Sequence, residues 1–405
     1  MNNDRYPRRP GLLSLGLLML TVLVLVAPHA RACQTPVFRY ALEKWPGDFY
    51  PLMVYHDGPL SPDDKAIVGW LEKVQESEGS QVSVYVLDIS KPVTTQPATA
   101  PATTQPTSRP SPVDTQRAYL LKKFPPPTDT PMPALVLRYP AQPGGEGASW
   151  PVVYSGRLDG KIARDIIDSP VRQKIAKRLL SGDSSVWVLL ESGDKAKDDA
   201  AAKTLETELG RLNKELELPE QPPTSDAGPY EPEITVELKV AFSVLRMSRT
   251  DPAESMFIKM LLGSEEGLTE IKEPIAFPIF GRGRALAAFA GDGIDADNIE
   301  SACIFLVGRC SCQVKRLNPG TDMMFTVNWD AALAGQPLMT MPPLPRLATD
   351  EVEIKSASLT ATSSRDAESG GAPIRWLLIV AVSLVAVAVV VGLPMVRVMR
   401  KGAGN

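Results

Sequence analysis

The chain has 405 residues, 43 lysines and arginines against 47 aspartates and glutamates, a formal charge of −4 and an apolar share of 44%. That balance, with no basic run outside the terminal flanks, excludes nucleic acid as a partner, and the length and apolar share suit about two folded domains plus linkers. Only two histidines occur, one of them (His29) among the first 32 residues, so a mature metal site built from several histidines is excluded by count.

Residues 1–32 have the three parts of an export signal. Arg5, Arg8 and Arg9 precede the apolar stretch Gly11 to Val26, and Ala30-Arg31-Ala32 offers a small-x-small cleavage site. Cleavage leaves Cys33 first. A cysteine there raises a lipidated N-terminus, against which stands Ala30 in the place where lipoprotein signals carry leucine. An uncleaved first helix is the other reading; in each case the bulk of the chain is expected to be exported.

Residues 33–183 read as a first α/β domain. Leu52 to His56 is a short apolar strand, and Ser61-Pro62-Asp63-Asp64 gives a cap, a first-turn proline and an acidic first turn ahead of Ile67, Trp70, Leu71 and Val74 at helical spacing. Val82 to Leu87 is a second strand. Lys91 to Asp114 is Pro/Thr-rich, cannot bury apolar surface, and reads as a disordered insertion. Beyond it Gln116 to Phe124 is a short helix ending at Pro125-Pro126-Pro127. Ala134 to Tyr139 and Val152 to Ser155 form a hairpin, and Ile162, Ile166 and Ile167 open a closing helix broken at Pro170 and running to Leu180. The order is βαβαββα.

Residues 184–335 repeat it. Val186 to Leu190 is a strand, and Lys195 to Leu218 is a helix with Leu205, Leu209, Leu212 and Leu216 on one stripe. Ile234 to Leu245 supplies the next strand, and Asp251-Pro252 starts a helix through Met256, Met260 and Leu261. Ile275 to Phe280 and Ala285 to Phe289 form a hairpin across Gly281-Arg282-Gly283-Arg284. Asp297 is expected to cap the last helix in a capping box with Glu300, burying Ile299, Cys303 and Leu306 and ending at Gly308.

Residues 336–375 read as a flexible stalk, Pro-rich and then rich in Ser, Ala, Thr and Gly. Trp376 to Val396 carries no charged residue and is long enough to cross a bilayer as a helix. Arg375 precedes it and Arg397, Arg400 and Lys401 follow, so residues 397–405 are expected in the cytoplasm and the domains on the periplasmic or extracellular side of the cell membrane.

Two copies of βαβαββα resemble the thioredoxin fold in tandem. Such domains usually place a cis-proline just before the first hairpin strand, and Pro133, with Pro274 or Pro278, occupies that neighbourhood. Cys33-Gln34-Thr35-Pro36-Val37-Phe38-Arg39-Tyr40-Ala41-Leu42-Glu43-Lys44-Trp45 and Phe280-Gly281-Arg282-Gly283-Arg284-Ala285-Leu286 resemble an uncharacterised family of exported, membrane-anchored proteins of planctomycete-type bacteria. That resemblance implies placement and lends no activity.

A redox-active thioredoxin domain needs Cys-x-x-Cys where the first strand meets its helix, since the helix N-terminus lowers the attacking thiol's pKa. Both copies lack it: the positions read His56-Asp57-Gly58-Pro59-Leu60-Ser61 and Glu191-Ser192-Gly193-Asp194-Lys195. No catalytic residue is assigned, His56 beside a turn being read as structural. The sulfur cluster is Cys303, Cys310 and Cys312. In an oxidising compartment it is a structural disulfide, Cys303 with Cys310 or Cys312, leaving one thiol to pair with Cys33 or stay free; an exchange-active Cys310/Cys312 pair; or a soft-metal trap for Cu(I). Arg282 and Arg284 are either a polar hairpin tip or a grip on a carboxylate, a phosphate or an acidic partner. Asp292, Asp295 and Asp297 lack the spacing of a calcium loop, so no metal or cofactor is assigned. The expected function is a non-enzymatic exported scaffold acting through an envelope protein partner. The alternatives are a thiol-disulfide or copper-handling protein and, third, an accessory subunit of a membrane transporter.

Overall fold

Tyr50 to Tyr55 and Val186 to Leu190 are apolar almost without interruption, too dense for strands with one wet face. Both become central strands. The computed structural model describes residues 35–91, 112–141, 149–220, 236–310 and 314–335, all within the first of two compact units, residues 1–353. The expected export signal, Cys33, most of the Pro/Thr-rich insertion, Cys312, the expected stalk and the apolar run Trp376 to Val396 lie outside the described residues. Among the described residues no helix is long and apolar enough to cross a membrane.

The protein is mixed α/β with two mixed sheets. In the first, β1 (Tyr50–His56) pairs in parallel with β2 (Val82–Asp88) and antiparallel with β3 (Ala134–Arg138), which pairs with β4 (Val152–Arg157); the order is β2-β1-β3-β4. In the second, β5 (Ser185–Glu191) runs parallel to β6 (Phe242–Ser248) and antiparallel to β7 (Ile275–Phe280). Beyond β7 come β8 (Arg284–Ala285) and β10 (Thr321–Asp322), while β9 (Phe289–Ala290) pairs with the other end of β7.

Strand side chains alternate between faces, and the alternation sorts the core into layers. Tyr50, Leu52 and Val54 of β1 share one hydrophobic cluster with Val186, Val188 and Leu190 of β5 and with Ile275, Phe277 and Ile279 of β7. The inner faces of both sheets therefore bury into the same middle layer. It is filled by α2 (Pro62–Glu76), α4 (Gly160–Ile167), α5 (Pro170–Leu180) and α7 (Ser255–Leu262), and by Met323, Met324, Phe325 and Trp329 near the end of the described chain. α2 alone contributes Ile67, Trp70, Leu71 and Val74, each burial stabilising by roughly 1.5–3 kcal/mol.

The outer faces are covered separately. Met53 and Tyr55 of β1 pack beneath α3 (Pro112–Lys123) with Phe124, whereas Trp187 and Leu189 of β5 pack beneath α6 (Lys195–Glu215), α8 (Ala296–Val307) and α1 (Val37–Lys44). α1 thus lies on the second sheet although it precedes the first in the chain. The last short helix, α9 (Trp329–Leu333), returns to the middle layer.

Several expectations shift. α3 begins at Pro112, so the last residues assigned to the insertion form a helical first turn, a position where proline's fixed φ and missing N–H cost nothing. The strand expected over Ile234 to Leu245 is displaced to Phe242–Ser248, because Asn213 closes the ladder by accepting from Phe242 N and donating to Phe242 O, while the Ser184 hydroxyl bonds Lys239 and Ala241. The second hairpin strand splits into β8 and β9; Pro278 in the middle of β7 has no N–H to offer. α8 is capped by Asp295, which accepts from Asn298 N, and not by Asp297, while Glu300 turns away to pair with Arg211. Met132-Pro133 is the one cis peptide among the described residues, immediately before β3.

Candidate functional site

The two strand-to-helix turns, after β1 and after β5, are occupied by carboxylates that hold their own loops. After β1, the His56 ring meets Gly58 O at 2.7 Å, and Ser61 caps α2: its Oγ accepts from Asp64 N at 3.1 Å and donates to Asp64 Oδ2 at 2.6 Å. Asp64 is buried, with Arg157 at 3.8 Å, and Arg157 also donates to Met132 O at 3.0 Å, beside the cis-proline. After β5, Asp194 caps α6 through Ala196 N and Lys197 N. Buried Asp198 accepts from Ser192 N at 2.7 Å, Ser192 Oγ at 2.8 Å and Gly193 N at 3.0 Å. Neither turn carries a thiol, and both spend their polar groups on capping.

The hairpin tip between β7 and β8 demands glycine twice. Gly281 and Gly283 have φ of +58° and +96°, and a Cβ on Gly283 would stand 2.2 Å from the Phe325 ring. Between them Arg282 donates from Nε to Leu42 O at 2.8 Å and from Nη2 to Glu43 O at 3.0 Å, and pairs with Asp330 at 2.6 Å. A guanidinium at the C-terminal carbonyls of α1 satisfies orphan acceptors and opposes the helix dipole. Arg284 donates to Pro319 O, Asn318 O and Asp322 Oδ1, the last at 2.6 Å. Asp322 is shared with Lys315 and with Asp48 N; Lys315 spends its other protons on Asp48 Oδ1 at 2.8 Å and Pro46 O at 2.6 Å. Tyr50 donates to Asp322 O at 2.5 Å, and burial, reinforced by Tyr139 and Asp322, raises its phenol well above the usual range.

The sequence thus brings Arg282 and Arg284 together at one hairpin, and the structure turns both inward. They tie α1, β8 and β10 to one another. Arg284, Lys315, Asp48 and Asp322, without Arg282, line an open cleft of about 560 Å³ that also presents Ser264 and Arg316. Asp48 and Asp322 neutralise Lys315 and Arg284 there. Among the described residues no group of three histidine, cysteine, aspartate or glutamate side chains is placed to hold a metal ion.

Cys303 lies on the inward stripe of α8 as a free, fully buried thiol, and burial, with Glu300 adding to it, pushes its pKa far up. Burial keeps this thiol protonated and away from solvent. Cys310 is buried in the same cluster just past the helix end. The Cys310/Cys312 pairing itself lies outside the described residues.

Sequence reasoning missed Arg172, which has no exposed surface. It donates to Asp165 O at 2.5 Å, Ile166 O at 2.8 Å, Met324 O at 3.2 Å and Ser169 Oγ at 3.1 Å. Burial lowers its pKa to about 10, against the pull of Asp168 and Glu254. Glu254 is buried beside it and accepts from Val171 N at 2.8 Å; desolvation raises its pKa. The signal was present: Arg172 falls on the same helical stripe as Ile175, Ala176 and Leu179, a charge where an apolar residue is due.

No protein-family model matches the chain, and neither does any curated protein or any solved structure.

Proposed function

We propose that the protein is an exported, membrane-anchored, non-enzymatic interaction scaffold built on two thioredoxin-like halves that lack the dithiol. The fold reading rests on the sheet orders: β2-β1-β3-β4 in the first half and β6-β5-β7-β8 in the second are the same arrangement, each with two parallel strands followed by an antiparallel hairpin. The anchor and its orientation rest on the uncharged run Trp376 to Val396 and its basic flanks. One observation carries the functional reading. At both strand-to-helix turns the chemistry-bearing positions are given over to the capping networks of Ser61/Asp64 and Ser192/Asp198.

The test is turnover and partner capture with the full chain. Purified in detergent, it is expected to neither reduce nor oxidise a model disulfide peptide above the uncatalysed rate, and to take up no stoichiometric Cu(I) against a competing chelator. Activity or copper uptake that disappears in Cys310→Ser or Cys312→Ser would overturn the scaffold reading in favour of thiol or copper handling. Cross-linking in native membranes is expected to give a defined heteromeric product; recovery of the monomer alone would remove the scaffold's partner.

A further inference from the structure

α3 ends in Tyr119-Leu120-Leu121-Lys122-Lys123, and Pro125 stops the helix one residue later. The four-residue spacing puts Tyr119 and Lys123 on one helix face, while Phe124 turns inward against Met53, Tyr55 and Val136 of the first sheet and is 5% exposed. Trp150, on the chain entering β4, meets the Phe124 ring at right angles with 5.6 Å between centroids. The Lys123 ammonium stands over all three rings, 3.8 Å from the Trp150 centroid, 5.4 Å from that of Phe124 and 5.5 Å from that of Tyr119. The rings make an aromatic box, and a lysine of the same helix fills it.

The occupant suits the box poorly. A primary ammonium has three N–H donors, and the box offers it one oxygen, Tyr119 Oη at 3.4 Å, beyond the usual hydrogen-bond range. Among the described residues no carboxylate pairs with Lys123, which is exposed. Ring faces attract charge without accepting strong hydrogen bonds, so they match a cation with no donors, a quaternary ammonium. The neighbouring guanidinium narrows the choice further. Arg138 lies 5.4 Å from the Phe124 centroid, donates to Trp150 O at 3.0 Å, and lines an open cleft of about 380 Å³ together with Thr128, Asp129, Thr130 and Ser155. A bare cation entering the box would be repelled by Arg138, whereas one that carries its own anionic group would be held by it.

We propose that this corner of the first half binds a small zwitterion, a quaternary ammonium bearing one carboxylate or phosphoester, and that Lys123 fills the site until the ligand displaces it. The methylated nitrogen takes the place of Lys123 Nζ among Tyr119, Phe124 and Trp150. Its anionic group meets Arg138 and the hydroxyls of the cleft, and Lys123 swings into solvent, where water satisfies its three donors. No covalent bond is made or broken. The site is independent of the scaffold reading, because disulfide turnover and cross-linking do not involve it.

Calorimetric titration of the full chain tests this in a maltoside detergent, which carries no quaternary ammonium. The probes are glycine betaine, phosphocholine and dihexanoyl-phosphatidylcholine below its micellar concentration, and the tightest of the three tells a free carboxylate or phosphoester from a lipid headgroup. The control is tert-butylacetate, which has betaine's shape with carbon in place of the charged nitrogen. Saturable binding of at least one zwitterion is expected, and none of tert-butylacetate. Lys123→Ala removes the competitor and should tighten binding about 2–30-fold. Trp150→Leu should abolish it, and Arg138→Gln should lower the affinity for the zwitterion to that for tetramethylammonium. Absence of binding in both the parent and Lys123→Ala, equal binding of tert-butylacetate, or an affinity indifferent to Trp150 would overturn the proposal. The tert-butylacetate comparison uses the unsubstituted protein, so a variant that fails to fold leaves the test intact.

Discussion

The outer faces of the two sheets are closed in different ways. Over the second sheet lie α6, α8 and α1, with Leu205, Leu209 and Leu212 of α6 all buried. Over the first lies α3, none of whose residues is buried, and whose Val113 and Tyr119 are largely exposed. The strands beneath are equally apolar, so the difference lies in the cover. Two sheets of one strand order have unequal outer layers and a common inner one, which makes the middle layer the place where the halves depend on each other.

The largest test of that dependence is Arg172→Met. Removing the guanidinium strands the carbonyls of Asp165 and Met324 and leaves Glu254 buried without its neighbouring cation, and it is expected to cost about 3–5 kcal/mol. Trp70 reports on the first half and Trp187 on the second, and denaturant titration of the full chain should show both moving to the same lower midpoint. Separate midpoints would dissolve the shared layer. Next comes the contrast of covers: Leu209→Ala is expected to cost about 2–5 kcal/mol, and Leu121→Ala, on the half-covered α3, about 1 kcal/mol. Equal losses would mean the first outer face is sealed as well as the second. Asp194→Ala and Ser61→Ala remove matched caps and should each cost about 1 kcal/mol.

The smallest effect sits at Tyr55, whose hydroxyl donates to Phe124 O at the end of α3 at 2.9 Å. Burial raises this phenol from 10.0 to about 12, with Arg138 opposing the shift. A raised phenol pKa means the folded state holds the proton more tightly, so its contribution is complete below pH 10 and is lost as pH rises towards 12. Tyr55→Phe is expected to cost about 1 kcal/mol at neutral pH, and the gap to the parent protein should close across that window. A constant gap in pH-dependent denaturation would place the hydroxyl outside the α3 contact.

How much of this was legible follows from which forces act locally. β1, α2, β5 and α6 were readable because their apolar residues repeat at strand or helix period and their caps stand next to them. β6 was misplaced because the deciding partners, Asn213 and Ser184, are far away in sequence. α1 was missed: the guanidinium that satisfies its last carbonyls belongs to Arg282, brought in by the fold from far along the chain. At the candidate sites the sequence supplied residue types but not their direction. Arg282 and Arg284 look like exposed cations until Asp322 and Asp330 are known to stand beside them, and Cys303 looks reactive until its burial is known.

The docking of α1 on the second sheet also sets a timetable for synthesis. Val37, Phe38 and Ala41 are made before either sheet exists. The guanidinium that ends their helix, borne on the hairpin that follows β7, arrives 240 residues later, and α8 later still. Until then the apolar face of α1 lacks the surfaces that cover it in the finished fold, which makes it a segment exposed to misassociation while the chain is incomplete. Slowing translation after β6 should lengthen that exposure, whereas slowing it after α8 should not.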